Sequence, residues 1–384
     1  MRLPQRRDEP NEPLRPDPPL QREDVATLAE TTSRILSFAR EAGTAEAARA
    51  RDIVSAHLSG LGYTVTVQKF NFAPASLRGF PLFGAGLGGL AMALYPFLGS
   101  ARAPDWGAIA IWTAGLLALG IVAAGVGLGW VPLGQAPRED ANLIATRGAQ
   151  EPRRWIVAHL DSKAQAHSMA GRLVAVWLIG IAIGALTGLA LLRLRGPLSP
   201  AVSAPGLFLA VLAGVLASRG RLRGLSPGAR DNGSGVVAAL KAAESTADPR
   251  IGILITGAEE FGLVGARVFA RASGPRPDVE FVNLDTLDQE GDVYLVSHDA
   301  RGTRLARKIA PDLLELGLPL RLRRLPLGIF VDSAPLTRTG GSAVTIGRLT
   351  WSTLRRIHTP ADTPDNLSLE QAERVGEAVA QIDL

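Results

Sequence analysis

The sequence predicts an α/β fold, a central sheet flanked by helices, interrupted twice by a pair of apolar helices. Three observations carry this expectation. Short β-rich runs alternate with segments of helical period through the second half of the chain. Four uncharged apolar stretches are each about long enough to cross a hydrocarbon core of roughly 30 Å. Helical and strand-like segments already precede the first of those stretches, so one soluble fold begins before the apolar region does.

Met1 to Glu23 is rich in Pro, Arg and acidic residues and lacks an apolar run, as expected of a disordered tail and not of a signal peptide. In the first part of the soluble domain, residues 24–77, Asp24 to Ala42 and Thr44 to Leu61 carry helical apolar spacing, and Tyr63 to Phe70 alternates like a strand. Gly79 to Ala101 and Trp106 to Pro137 supply the first apolar pair, a transmembrane hairpin assigned to residues 78–132. Residues 133–171 return to the domain, with strands expected at Asn142 to Thr146 and Trp155 to Ala158.

Leu173 to Leu192 and Gly196 to Ser218 supply the second hairpin, residues 172–218. Because Pro197, Pro200 and Pro205 open its second member, regular helix is expected there only over Gly206 to Ser218. Gly180, Gly184 and Gly188 form a small-xxx-small ridge suited to close helix packing in lipid. A buried helix of a soluble core is the competing reading for each stretch.

Residues 219–384 complete the domain. Helices are expected over Gly233 to Ser245, from Leu263, and over Thr303 to Leu316, alternating with strands at Ile251 to Thr256 and Val279 to Leu284. A last helix starts near Leu369, where Ser368 and Gln371 have capping-box spacing. No internal repeat of some 20 to 50 residues is visible.

Each hairpin leaves and re-enters on one side, so both can be inserted into loops of a single domain. Arg78, Arg138, Arg172, Arg219, Arg221 and Arg223 lie on the domain side, against Arg102, Arg193 and Arg195 in the turns. The positive-inside rule therefore favours a four-span integral membrane protein with its soluble domain on the cytoplasmic face. The net charge of +5 comes from scattered basic residues, and aromatics are only 5%, so no stacking platform or phosphate-tracking stripe supports nucleic-acid binding. With no Cys, disulfides, thiolate metal ligands and a cysteine nucleophile are excluded.

Five short segments hold acids and histidines that apolar packing does not explain: His159-Leu160-Asp161-Ser162, Arg230-Asp231-Asn232-Gly233, Gly257-Ala258-Glu259-Glu260, Asn283-Leu284-Asp285 and His358-Thr359-Pro360. Each falls at a predicted strand end or strand-to-helix turn, the edge where open α/β sheets bind ligands. Singly, each has an ordinary reading. His159 and Asp161 could end a surface strand, Glu259 and Glu260 could favour a helix N-terminus, Asp285 could end a strand, Asp231 could cap a helix, and His358 could be a loop residue. Together, three carboxylates and two histidines make a hard N/O donor set suited to zinc, and adjacent Glu259 and Glu260 are costly near a core unless a cation compensates them.

In this order the segments resemble the co-catalytic dizinc exopeptidases, the family of bacterial leucyl aminopeptidases, aminopeptidase Y and glutamate carboxypeptidase II. The matching motifs are His159-Leu160-Asp161, Asp231 to Gly235, Gly257 to Gly262, Asn283 to Asp285, and His358 to Asp362 running on to Leu367. The resemblance covers roughly Asp24 to Leu77 and Leu133 to Leu384 with the hairpins removed, and implies a mixed central sheet of the zinc-exopeptidase type. It implies two Zn²⁺ per chain, one on His159 and Asp285, the other on Glu260 and His358, with Asp231 bridging. Glu259 would be the general base and acid, and Asp161 would orient His159. A cis peptide between Asp231 and Asn232 is implied as well.

The expected activity is removal of the N-terminal residue of a peptide or protein, with the bilayer as a further partner. Some 70 residues separate Asp161 from Asp231, where the family needs a short loop. The second hairpin fills that gap and places the membrane beside the site. Glutaminyl cyclases share the scaffold with a single zinc, and Asp161-Ser162-Lys163 resembles their strand end. A retired peptidase serving as membrane scaffold or receptor would have lost a ligand or the base, and none is missing. A transporter is disfavoured because no predicted span carries a charge. Asp332 and Thr337 to Ser342 lie in a stretch expected to help line the substrate pocket.

Overall fold

A computed structural model describes residues 26–383; the tail expected over Met1 to Glu23 lies outside them. The chain opens with α1 (Leu28–Leu36) and α2 (Ala45–Gly60), then β1 (Thr64–Phe72). Two long helices follow, α3 (Gly79–Gly99) and α4 (Gly107–Gly127), before β2 (Arg138–Thr146) and β3 (Arg154–His159). Next come α5 (Met169–Leu192), α6 (Pro200–Ser218), α7 (Ser234–Ser245), β4 (Ile251–Thr256), α8 (Val264–Ser273) and β5 (Glu280–Leu287). The chain ends through β6 (Asp292–Ser297), α9 (Ala300–Leu314), β7 (Leu320–Arg324), the single turn α10 (Ser333–Leu336), β8 (Ser342–Leu349), α11 (Trp351–Arg356) and α12 (Glu370–Gln381).

The eight strands form one mixed sheet in the order β1-β2-β4-β3-β5-β8-β6-β7. Its centre, β4-β3-β5-β8, is parallel, while β1, β2 and β6 join antiparallel to their inner neighbours. Every residue of β3 and β4 is buried, the pattern of parallel strands covered on both faces. Ile156 and Ala158 pack with α1, α2, α7, α9 and α12 on one face, and Trp155 and Val157 with Phe269 and Leu336 on the other. The outer strand β7 is exposed and carries three arginines, which discourage edge-to-edge pairing.

The hairpins enter at two different kinds of junction. Helices α3 and α4 occupy the turn between antiparallel neighbours β1 and β2, whose paired ends are Phe72 and Arg138. Helices α5 and α6 occupy the loop after β3, closed at its base by a short two-stranded neck. There Gln165 pairs with Leu222, and the Ala166 and Arg223 amides donate to Arg221 and Ala164. The four helices pack as a bundle around Leu87, Leu94, Trp112, Ala182 and Ala213. Its outer faces expose Met92, Leu117, Ile121, Ile181 and Phe208, apolar surface that water does not favour. All four helices are long and apolar enough to cross a membrane.

Several local expectations are corrected. Helix α6 runs regularly from Pro200 through Pro205 instead of starting at Gly206, because Pro200 sits in its first turn, where no backbone donor is needed. The ridge Gly180, Gly184, Gly188 makes no close contact: a Cβ at any of the three would meet nothing within 4 Å. Close approach falls instead to α3 and α6, where a Cβ on Gly214 would lie 2.5 Å from the Gly84 carbonyl. Arg172 lies inside the third apolar helix, not before it. The expected box at Ser368 and Gln371 does not close; the Ser368 hydroxyl accepts from Glu370, and the Gln371 side-chain oxygen is buried without a partner. Strands β6, β7 and β8 lie beyond those expected.

Candidate active site

The parallel centre of the sheet aims its carboxyl ends at one place. Strand β4 lies on one side of β3 and β5 on the other, so the loops leaving them diverge around the end of β3 and open a crevice there. His159 is the last residue of β3, Glu259 and Glu260 follow β4, Asp285 lies on β5, and Asp231 stands in the turn before α7. His358 comes from the loop after α11.

These side chains converge. His159 Nε2 lies 3.2 Å from Asp231 Oδ1, 3.9 Å from Asp285 Oδ1 and 4.0 Å from Glu259 Oε2. His358 Nε2 lies 3.0 Å from Asp231 Oδ2 and 3.3 Å from Glu260 Oε1. Two groups with metal-ligand spacing result, His159-Asp231-Asp285 and Asp231-Glu260-His358, and Asp231 belongs to both through different oxygens.

The framework around Asp231 is extensive. The Asp231–Asn232 peptide is cis, as the resemblance implied. Asp362 accepts from the Arg230 and Asp231 amides at 2.9 and 3.1 Å. Asn232 donates to the Leu284 carbonyl and accepts from the Gly235 and Thr286 amides, tying this turn to the strand that carries Asp285. Gly235 is required by that closeness, since a Cβ there would lie 2.3 Å from both Asn232 Oδ1 and the Leu284 carbonyl. Ala258, Thr286 and His358 all have positive φ, the backbone strain that collects at functional sites.

Asp161 does more than its expected task. His159 Nδ1 is 3.0 Å from the Asp161 carbonyl oxygen and 3.7 Å from its carboxylate. That carboxylate instead accepts from the Glu259 and Glu260 amides at 3.0 and 3.1 Å. One residue therefore holds the imidazole through its backbone and the two-glutamate turn through its side chain.

Charge in this buried cluster is divided unevenly. Burial pushes Glu259 well above the usual carboxylate range and Asp285 up to about 6. Burial also opposes ionisation of Asp231 and Glu260, yet the two imidazoles hold Asp231 far down, and His358 with Lys163 draws Glu260 to about 2. Desolvation opposes protonation of both rings, but the surrounding carboxylates outweigh it and raise them. Buried carboxylates this crowded demand positive charge, and the Glu260 Oε1 atom is buried with no hydrogen-bond partner. An oxygen and nitrogen donor set of this kind fits zinc, with Asp231 able to serve two ions.

One contact was not foreseen, and one expectation is corrected. Lys163, beside the neck of the second hairpin, is buried with its ammonium 2.5 Å from Glu260 Oε2; its place two residues after Asp161 was the available signal. Asp332 was expected to line the pocket together with Thr337 to Ser342. It is fully buried behind it, takes a hydrogen bond from Thr256, and is pushed by burial to about 7. Val331, Thr345 and Gly347 line the wall in place of that stretch.

Residues 215–383 match the model of peptidase family M28, a segment that holds Asp231, Glu259, Glu260, Asp285 and His358. The match spans somewhat less than half of the chain and supports a family of the dizinc exopeptidase type. Solved structures with this fold include the aminopeptidase from Aneurinibacillus sp. strain AM-1, at 16% identity and TM-score 0.53 over 92% of this chain and 93% of that one. The Bacillus subtilis zinc aminopeptidase BSAP matches at 17% identity and TM-score 0.53, with the same two coverages. Fimbriiglobus ruber glutaminyl cyclase matches at 14% identity and TM-score 0.53 over 98% of this chain and all of that one. A comparison with curated protein sequences gives no match. The fold of this chain is thus shared by peptidases and cyclases alike.

Proposed function

We propose that this protein is a membrane-embedded, zinc-dependent exopeptidase, most closely an aminopeptidase, with its hydrolase domain on the cytoplasmic face. The observation that carries this reading is Asp231, whose Oδ1 lies against His159 and whose Oδ2 lies against His358, and which belongs to both groups of metal-ligand spacing, with Asp285 in one and Glu260 in the other. In this reading His159 and Asp285 hold one zinc, Glu260 and His358 a second, and Asp231 bridges. Zinc bound there supplies Lewis-acid polarisation of the scissile carbonyl and lowers the pKa of the attacking water.

The chain's residues do the rest. Glu259, close to His159 and raised by burial, accepts the proton of the attacking water and returns it to the leaving amine. Asp161 keeps Glu259 and Glu260 in register through their amides. The bilayer stands close by, because Leu77, Phe80 and Leu173 from the roots of the apolar helices line the same cavity as Glu259.

The test is Glu259→Gln, with turnover of a short peptide and metal content measured side by side. Release of the N-terminal residue should fall by about 10²–10⁴-fold while zinc stays near two equivalents per chain. Unchanged turnover would sink the mechanism. A second reading, a glutaminyl cyclase-like acyl transfer, is favoured by Lys163, whose ammonium already neutralises Glu260 and would suit a site with one zinc. One zinc equivalent together with cyclisation of an N-terminal Gln, and no release of an N-terminal residue, selects it.

A further inference from the structure

The cavity above the candidate zinc ligands has a volume of about 680 Å³ and a divided character. Its floor is acidic, with Asp231, Glu259, Glu260 and Asp285. Its outer wall is apolar and made largely by the roots of the membrane helices and the segment before α10, including Phe80, Leu173, Trp177, Ile329 and Phe330. Trp177 and Phe330 are 59% and 58% exposed, so this wall continues onto the surface from which the apolar helices emerge.

Arg172, Arg267, Arg323 and Arg324 all line the cavity, and of these Arg172 is the one that faces two aromatic rings of the apolar wall. Arg172, in the first turn of α5, lies 5.4 Å from the ring centroid of Phe330 and 6.0 Å from that of Phe80. The acids whose field reaches it are Glu260 and Glu259, and neither is within ion-pair distance; among the described residues it has no carboxylate partner. His167 lines the same cavity, and neither of its ring nitrogens has a hydrogen-bond partner. An arginine stacked between two rings is held in orientation, and its planar fork matches a carboxylate through two parallel hydrogen bonds.

We propose that Arg172 receives the free carboxylate of the substrate, so that the cavity takes short apolar peptide acids whose side chains lie along Phe80, Leu173 and Phe330. This rests on the exopeptidase reading and adds to it what the far end of the substrate must carry. In that reading the zinc-bearing floor takes the N-terminal residue, so the free carboxylate lies out along the wall, where Arg172 is the guanidinium held between two rings. A membrane helix supplies that residue, so the second hairpin becomes part of substrate recognition.

The test is calorimetric titration of the full chain carrying Glu259→Gln, in detergent micelles, with Leu-Leu-Phe and with its C-terminal amide. The acid should bind about tenfold more tightly or better, and Arg172→Gln in the same background should bring the ratio to about one, with Arg172→Lys between. Equal affinity for acid and amide, binding of neither, or a preference that survives Arg172→Gln overturns the proposal. So does an affinity that follows the phosphatidylglycerol content of nanodiscs and ignores the peptide's C-terminus, which would make a lipid headgroup the anion. The contrast between acid and amide needs no Arg172 variant, so it decides even where Arg172→Gln does not fold. Turnover of Leu-Leu-Phe by the unsubstituted protein separates the two readings: hydrolysis without acid preference sinks only this inference, and acid preference without hydrolysis sinks only the exopeptidase.

Discussion

At the scale of single residues, the site depends on side chains that support other side chains. Asp161 shows this best, because its carbonyl takes the His159 ring while its carboxylate takes two glutamate amides. Asp161→Asn keeps the carbonyl but replaces one acceptor oxygen with a donor that faces an amide N–H. We expect zinc affinity or peptide turnover to fall by about 10–100-fold, read by zinc titration against a chelator and by kcat/KM, with little change in Tm. A loss confined to Tm would mean that Asp161 only holds the fold. His159, Asp231, Asp285 and His358 were legible because their motifs are short and ordered. Lys163 was not, since nothing in a sequence says that an ammonium two residues past a strand end turns inward onto Glu260.

At the scale of elements, the strands of the buried centre were the most legible. Ile251 to Thr256 was bounded correctly because a fully buried parallel strand is a continuous apolar run. Helix packing within the apolar bundle was not legible, because a small-residue ridge says that a close approach is possible and not which helix makes it. Gly214 and Gly184 separate the two cases. Gly214→Leu should push α3 from α6 and cost about 1–3 kcal/mol or more, lowering the Tm in detergent, whereas Gly184→Leu should leave Tm nearly unchanged. Equal effects would show that both faces are packed.

At the scale of the whole molecule, hairpin turns and hydrolase domain lie at opposite ends of the bundle, and Arg193 locks the turns together. Its guanidinium donates to the carbonyls of Phe97, Ser100 and Ala103 and pairs with Asp105 at 2.5 Å. The positive-inside rule counts basic residues and not net charge, so Arg193 still stands among the turn arginines and sidedness calls for a direct test. The chain has no Cys, so single introduced cysteines report sidedness cleanly. In intact cells an impermeant maleimide should label Arg195→Cys in the second turn and leave Asp248→Cys on the domain unlabelled until the cells are opened. The reverse pattern would place the hydrolase outside.

The sequence by itself determined the fold class, the apolar helices and the residue types of the candidate metal site, because hydrophobic period, run length and donor chemistry are properties of neighbours along the chain. Only the tertiary structure decided how the apolar helices and the candidate site residues meet. Ser76 at the root of α3 donates to the Phe261 carbonyl beside Glu260, and Arg172 at the root of α5 enters the cavity that Glu259 lines. Such meetings join residues far apart in sequence across the carboxyl edge of one sheet, and no local pattern encodes which loop will close over which strand. The insertion of two pairs of apolar helices into one α/β domain was visible as spacing; their share in the walls of the candidate site became visible only once the chain was folded.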